Sequence, residues 1–264
     1  MTHPPTRPWG RGRLLLLLGT ITTAAMAIVA GLGLLVYTTL TTPLPPKTVT
    51  PGATASATGQ AIRDALAAAP MLTVPEADTR GGTPAATPGP GIVVPDSTLI
   101  GPARVPSGFP HTPEGAIGQL AAIEIAVLSQ MSIAATGEIY HWWAMPDAPA
   151  AEQWPLLRHV QSFLAGARMG PVKDPTTTIQ LDPAGAQVKA TDGPDWVIAC
   201  VLLDATVTIR TQARTGFGYC ERMQWDPSSD RWLIGPGTPP AVAPSTWPGT
   251  QLAQQAGWLT WTTP

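Results

Sequence analysis

Asp195-Trp196-Val197-Ile198-Ala199-Cys200-Val201-Leu202-Leu203 is the stretch that settles the fold class. It is rich in apolar and β-branched residues and follows the turn at Gly193-Pro194, so it predicts a strand. Side chains alternate along a strand, which places Cys200 on one face with Trp196, Ile198 and Leu202. Similar texture recurs at Thr176–Leu181, Ala186–Ala190, Ala205–Thr211, Phe217–Trp225 and Arg231–Ile234. The last two are joined by the turn Asp226-Pro227-Ser228-Ser229-Asp230.

Upstream of the strands the sequence reads as helices. Thr112 suits an N-cap, Pro113 the first helical position and Glu114 the first turn. Ile117, Leu120, Ile123, Val127, Leu128 and Met131 follow at helical spacing, and the segment is apolar nearly all round. A short helix is expected at Ile139–Ala144 and another at Ala150–Arg168, the latter with Trp154, Leu157, Val160, Phe163 and Leu164 on one face. The stretch Thr250–Trp261 predicts a final short helix. Helices first and strands second argue for an α+β domain, about three helices on an antiparallel sheet, over residues 112–264.

The chain of 264 residues has only 12% charged residues, with 31 Pro and 26 Gly. A single compact domain over its whole length is not expected. From Leu14 to Leu40 there is no charged residue, longer than the roughly 20 residues that span a bilayer. Arg7, Arg11 and Arg13 precede this run and the lone Lys47 follows it. The asymmetry predicts a transmembrane helix over 14–40, a cytoplasmic stub over 1–13 and an extracytoplasmic remainder. A signal peptide cleaved after Ala27, at Ala25-Met26-Ala27, is the alternative. Residues 41–111 are rich in Pro, Ala and Thr and read as an extended linker. One interruption, Gln60–Ala69 before Pro70, has high helix propensity, as a partner-docking helix or a transient turn in the spacer.

Cys200 and Cys220 are the only cysteines, and an even count in an exported domain predicts a disulfide, with two buried free thiols as the alternative. From Pro113 onward there are thirteen acidic and eight basic side chains, a net of −5. That balance argues against direct contact with nucleic acid or anionic lipid and in favour of protein partners.

No P-loop, G-x-S-x-G or G-x-G-x-x-G motif occurs. Glu138, His141 and His159 form the best available polar set, a carboxylate and two imidazoles, against a reading as a helix end packed on the core with a partly exposed His hydrogen-bonded to backbone. Their spacing is not that of a metal-binding helix, and neither a metal nor a cofactor is expected. Nine of the ten tryptophans lie in the C-terminal domain, most of them expected in the core. Trp247, Trp258 and Trp261, in or after a Pro-rich tail, are the candidates for an exposed interaction surface.

The helix opening at Thr112-Pro113-Glu114-Gly115-Ala116, the strand Val201-Leu202-Leu203 beside Cys200, and Tyr219-Cys220-Glu221-Arg222-Met223-Gln224-Trp225 before Trp232 carry a resemblance. So does Pro244-Ser245-Thr246-Trp247-Pro248-Gly249 with Ala256-Gly257-Trp258. The domain resembles the cystatin-like (nuclear-transport-factor-like) ectodomains of actinobacterial membrane-anchored conjugal-transfer and type IV secretion-associated proteins. The resemblance rests on element order across about residues 112–261. It implies a non-enzymatic, oligomeric scaffold of an envelope complex, with the cone docking other channel proteins. An exported ligand-binding module or small enzyme, using the apolar mouth of the cone, is the alternative from a different class.

Overall fold

The computed structural model describes residues 53–264. The expected stub (1–13), membrane helix (14–40) and first part of the linker lie outside the described residues. Among the described residues no helix is long and apolar enough to cross a membrane.

The helical layer forms where the sequence places it. Helix α1 (Ala53–Ala68) comes first, and the three helices of the main layer are α2 (Pro113–Gln130), α3 (Ile133–Trp143) and α4 (Pro155–Gly166). Thr112 caps α2 by accepting the Gly115 N–H at 3.1 Å, and Ser132 caps α3 by accepting the Ala135 N–H at 3.3 Å. Helix α3 starts earlier than expected because Ser132 is its cap. Helix α4 starts later, because Pro155 fits the first helical turn and Ala151–Gln153 forms a separate 3-10 turn.

Three short strands, β1 (Gly91–Val93), β2 (Leu99–Ile100) and β3 (Pro106–Ser107), precede α2, and β2 pairs with β3. After the helices come β4 (Thr178–Thr191), β5 (Trp196–Thr208), β6 (Gln212–Asp226) and β7 (Arg231–Ile234), an antiparallel meander. Thr176–Leu181 and Ala186–Ala190 turn out to be one strand, as do the two segments either side of Asp204. Pro183 and Gly185, which look like a break in the sequence, make a β-bulge instead. The expected C-terminal helix shrinks to α5 (Gln251–Gln255), and Leu259–Thr262 forms strand β8. The main sheet runs β1-β8-β4-β5-β6-β7, antiparallel except for the β1–β8 pair.

β5 is buried on both faces, which accounts for its unbroken apolar run. Val197, Ala199, Val201 and Leu203 meet the core shared with α2, α3 and α4. Trp196, Ile198, Cys200 and Leu202 meet a second core that contains Ala67, Cys220, Ala243, Ala253 and Trp258. Cys200 and Cys220 face each other directly across β5 and β6 and form the disulfide.

The second core overturns the linker expectation for the described part of 41–111. A Pro-rich segment cannot build a core of its own, but this one covers the exposed apolar face of a sheet. Helix α1 is pinned there by Arg63 to Asp192 at 2.6 Å and by Asp64 to the buried Arg222 at 2.7 Å. Lys189 Nζ donates to the Ala67 and Ala69 carbonyls at 2.7 and 2.6 Å, the cation-at-C-terminus arrangement that helices favour. Irregular backbone is satisfied across the chain, with the Trp247 N–H donating to Asp78 O and the Ala85 N–H to Gly249 O. The tail passes so close to β6 that a Cβ at Gly218 would lie 2.8 Å from the Pro244 carbonyl oxygen.

Candidate functional site

Between the helices and the sheet the chain gathers acidic and phenolic groups in the core. Period-two alternation along β6 points Tyr219, Glu221, Met223 and Trp225 toward the helical layer, and α2 contributes Glu124. Glu221 accepts from the Tyr219 hydroxyl at 2.5 Å, the Trp154 indole N–H at 2.9 Å and the Arg222 backbone N–H at 2.9 Å. Burial nevertheless raises its carboxyl above the ordinary carboxylate value, the three donors offsetting only part of the desolvation.

Glu124 is 0% exposed, and neither carboxyl oxygen has a hydrogen-bond partner. Burial alone raises it well above its ordinary value, because the charged form would lose its water with no donor in its place. The Tyr219 hydroxyl is pushed well up by burial and then by the Glu221 charge. Burial and Glu221 also push Tyr140 up to about 12, while its hydroxyl donates to the Pro149 carbonyl at 2.5 Å. The depression beside Tyr140, Trp154 and Glu221 has room for no more than about one water.

The sequence-predicted residues fall elsewhere. Glu138 and His141 are exposed on α3, with His141 against Trp142 at 5.4 Å between ring centroids. His159 is exposed on α4 with its ring 4.6 Å from Phe217, and the surrounding apolar wall displaces enough water to hold its imidazole below the ordinary value. Among the described residues no group of three or more His, Cys, Asp or Glu could hold a metal ion.

The tryptophan expectation is corrected as well. Trp258 is 4% exposed and its indole donates to the Pro244 carbonyl at 2.9 Å. Trp247 is half-buried with the Arg214 guanidinium 4.9 Å from its ring, and Trp261 is half-buried against the main core. The tail returns to the sheet as β8, so its aromatics pack. Among the described residues the tryptophan that faces solvent is Trp142, 46% exposed.

Sequence reasoning missed Glu124 and Glu221, although an acid in the middle of a helix apolar nearly all round was a signal for the first. It also missed His111, which stacks on Trp225 at 4.3 Å and sits 2.8 Å from Asp195. Compared with protein-family models, curated proteins and solved structures, the chain gives no match.

Proposed function

We propose that the chain is a non-enzymatic single-pass membrane protein that serves as a structural or assembly component of a cell-envelope complex, such as one for conjugal DNA transfer or secretion. Its stub lies in the cytoplasm and its disulfide-closed domain outside the membrane. The uncharged run Leu14–Leu40, with arginines on one side of it, supports the placement. We read the domain as a cystatin-like cone, a reading supported by three helices followed by a bulged antiparallel sheet.

The observation that carries the assembly role is a set of large apolar side chains left in water between residues 93 and 100. Val93 on edge strand β1 is 57% exposed, and Leu99 and Ile100 on β2 are 63% and 72% exposed. Large apolar residues left in water this close together in the chain suit contact with another protein. The test is gentle extraction from native membranes with crosslinking and mass spectrometry. Envelope proteins should crosslink to the 91–107 region, and the Leu99→Glu/Ile100→Glu variant should lose them. Recovery of a lone monomer, cleaved after Ala27, overturns the reading.

A further inference from the structure

Outside the filled space between helices and sheet lies a second feature, a cleft of about 330 Å³. Leu156, Arg158 and His159 at the start of α4 form one wall, Phe217 on β6 the floor, and Val242 and Ser245 of the tail the other wall. The size falls in the range of small-molecule sites, and most of the lining is apolar.

Its charge runs against the rest of the domain. No carboxylate lines the cleft, although the domain as a whole is net acidic. Arg158 and His159 have no carboxylate partner among the described residues, whereas Arg63, Arg80, Arg214 and Arg222 each have one. Ser245 Oγ accepts the Gly218 N–H at 3.0 Å, which leaves its hydroxyl hydrogen for an acceptor in the cleft. The Pro-rich wall is held in place from behind. The Ala241 N–H donates to Ala67 O at 2.9 Å, and Arg222 Nε donates to Thr238 O at 2.6 Å while its guanidinium holds Asp64. The wall is thus fixed by α1, which shares the second core with it, a preformed arrangement rather than a loose loop.

We propose that this cleft is a binding site for a small monocarboxylate with an apolar aliphatic or aromatic body. The carboxylate pairs with Arg158 and takes hydrogen bonds from His159 and Ser245. The body lies on Phe217, Pro155 and Val242. A guanidinium is suited to this because its planar fork matches a carboxylate's two oxygens. The site is separate from the exposed Leu99 and Ile100, so loss of one leaves the other testable.

The experiment titrates the full chain, in lipid nanodiscs, with 4-fluorophenylpropionate observed by fluorine NMR, using the corresponding amide as the uncharged control. The acid should bind saturably and at least about tenfold more tightly than the amide. Arg158→Gln should weaken the acid about tenfold and leave the amide unchanged. Val242→Asp should abolish both. Arg158 is exposed and Val242 is 88% exposed, so neither variant disturbs the fold. Absence of saturable binding up to about 10 mM, equal binding of acid and amide, or undiminished binding by both variants overturns the assignment.

Discussion

Glu124 should make the domain lose stability as pH rises through the mildly acidic range. In the unfolded chain its carboxyl titrates near 4.5, and in the folded one well above that, because burial penalises the charged form. Below about 4.5 both states hold the proton and nothing is lost. Above it the unfolded state releases its proton and the folded state does not, so stability falls by about 1.4 kcal/mol per pH unit. The fall levels off once pH passes the folded-state value. Glu221 is shifted in the same direction and adds to the slope. Glu124→Gln keeps the shape and cannot ionise. The difference in unfolding free energy between variant and wild type should therefore grow in the variant's favour by about 1.4 kcal/mol per pH unit. Guanidinium unfolding followed by tryptophan fluorescence, with the disulfide intact, measures it between about pH 5 and pH 7. A fixed offset from replacing a carboxyl by an amide is irrelevant, since only the change with pH is read. Parallel pH curves for the two proteins would refute the reasoning.

Trp258→Ala should cost about 3–5 kcal/mol by opening the second core, whereas Trp142→Ala should stay within about 0.5 kcal/mol; thermal melts of the two variants compare them directly. Asp64→Ala leaves the 1%-exposed Arg222 without its carboxylate and should destabilise by about 3 kcal/mol. Limited proteolysis should then cut between residues 69 and 90 before it cuts the main sheet, and simultaneous loss of both would count against α1 as a separately docked element. Ala103 sits at φ 50°, in the left-handed region, so Ala103→Gly should raise the unfolding free energy by up to about 1 kcal/mol, read as a shift in denaturation midpoint.

The elements with strong local signals were legible. Thr112 announces α2 by its hydroxyl, and the alternation around Cys200 puts the disulfide on the face it occupies, because caps and pleats depend on adjacent residues only. The fate of residues 59–111 was not legible from composition, which asks whether a segment can bury itself and not whether it can cover something else. Ala67 and Met71 look unremarkable until the face of Trp196 and Ile198 needs a partner. Exposure of Trp258 was misjudged for the same reason, since β8 is defined by pairing with β4 and β1, far away in sequence. Glu124 stood out within an apolar helix, but Glu221 looked like an ordinary alternating strand residue. Only the docking of Trp154 and Tyr219 above it reveals its surroundings.

The placement of β8 has a consequence for the order in which the domain can be built. The strand lies between β1 and β4, and β1 hydrogen-bonds to no other strand of the sheet. During synthesis β1 emerges early and β8 last, so one edge of the sheet stays incomplete until residues 259–262 arrive. Until then Ile92 and Val94, which end up buried, have no sheet to join. A folding chain therefore carries that apolar segment unpaired until the strand that closes over it is made.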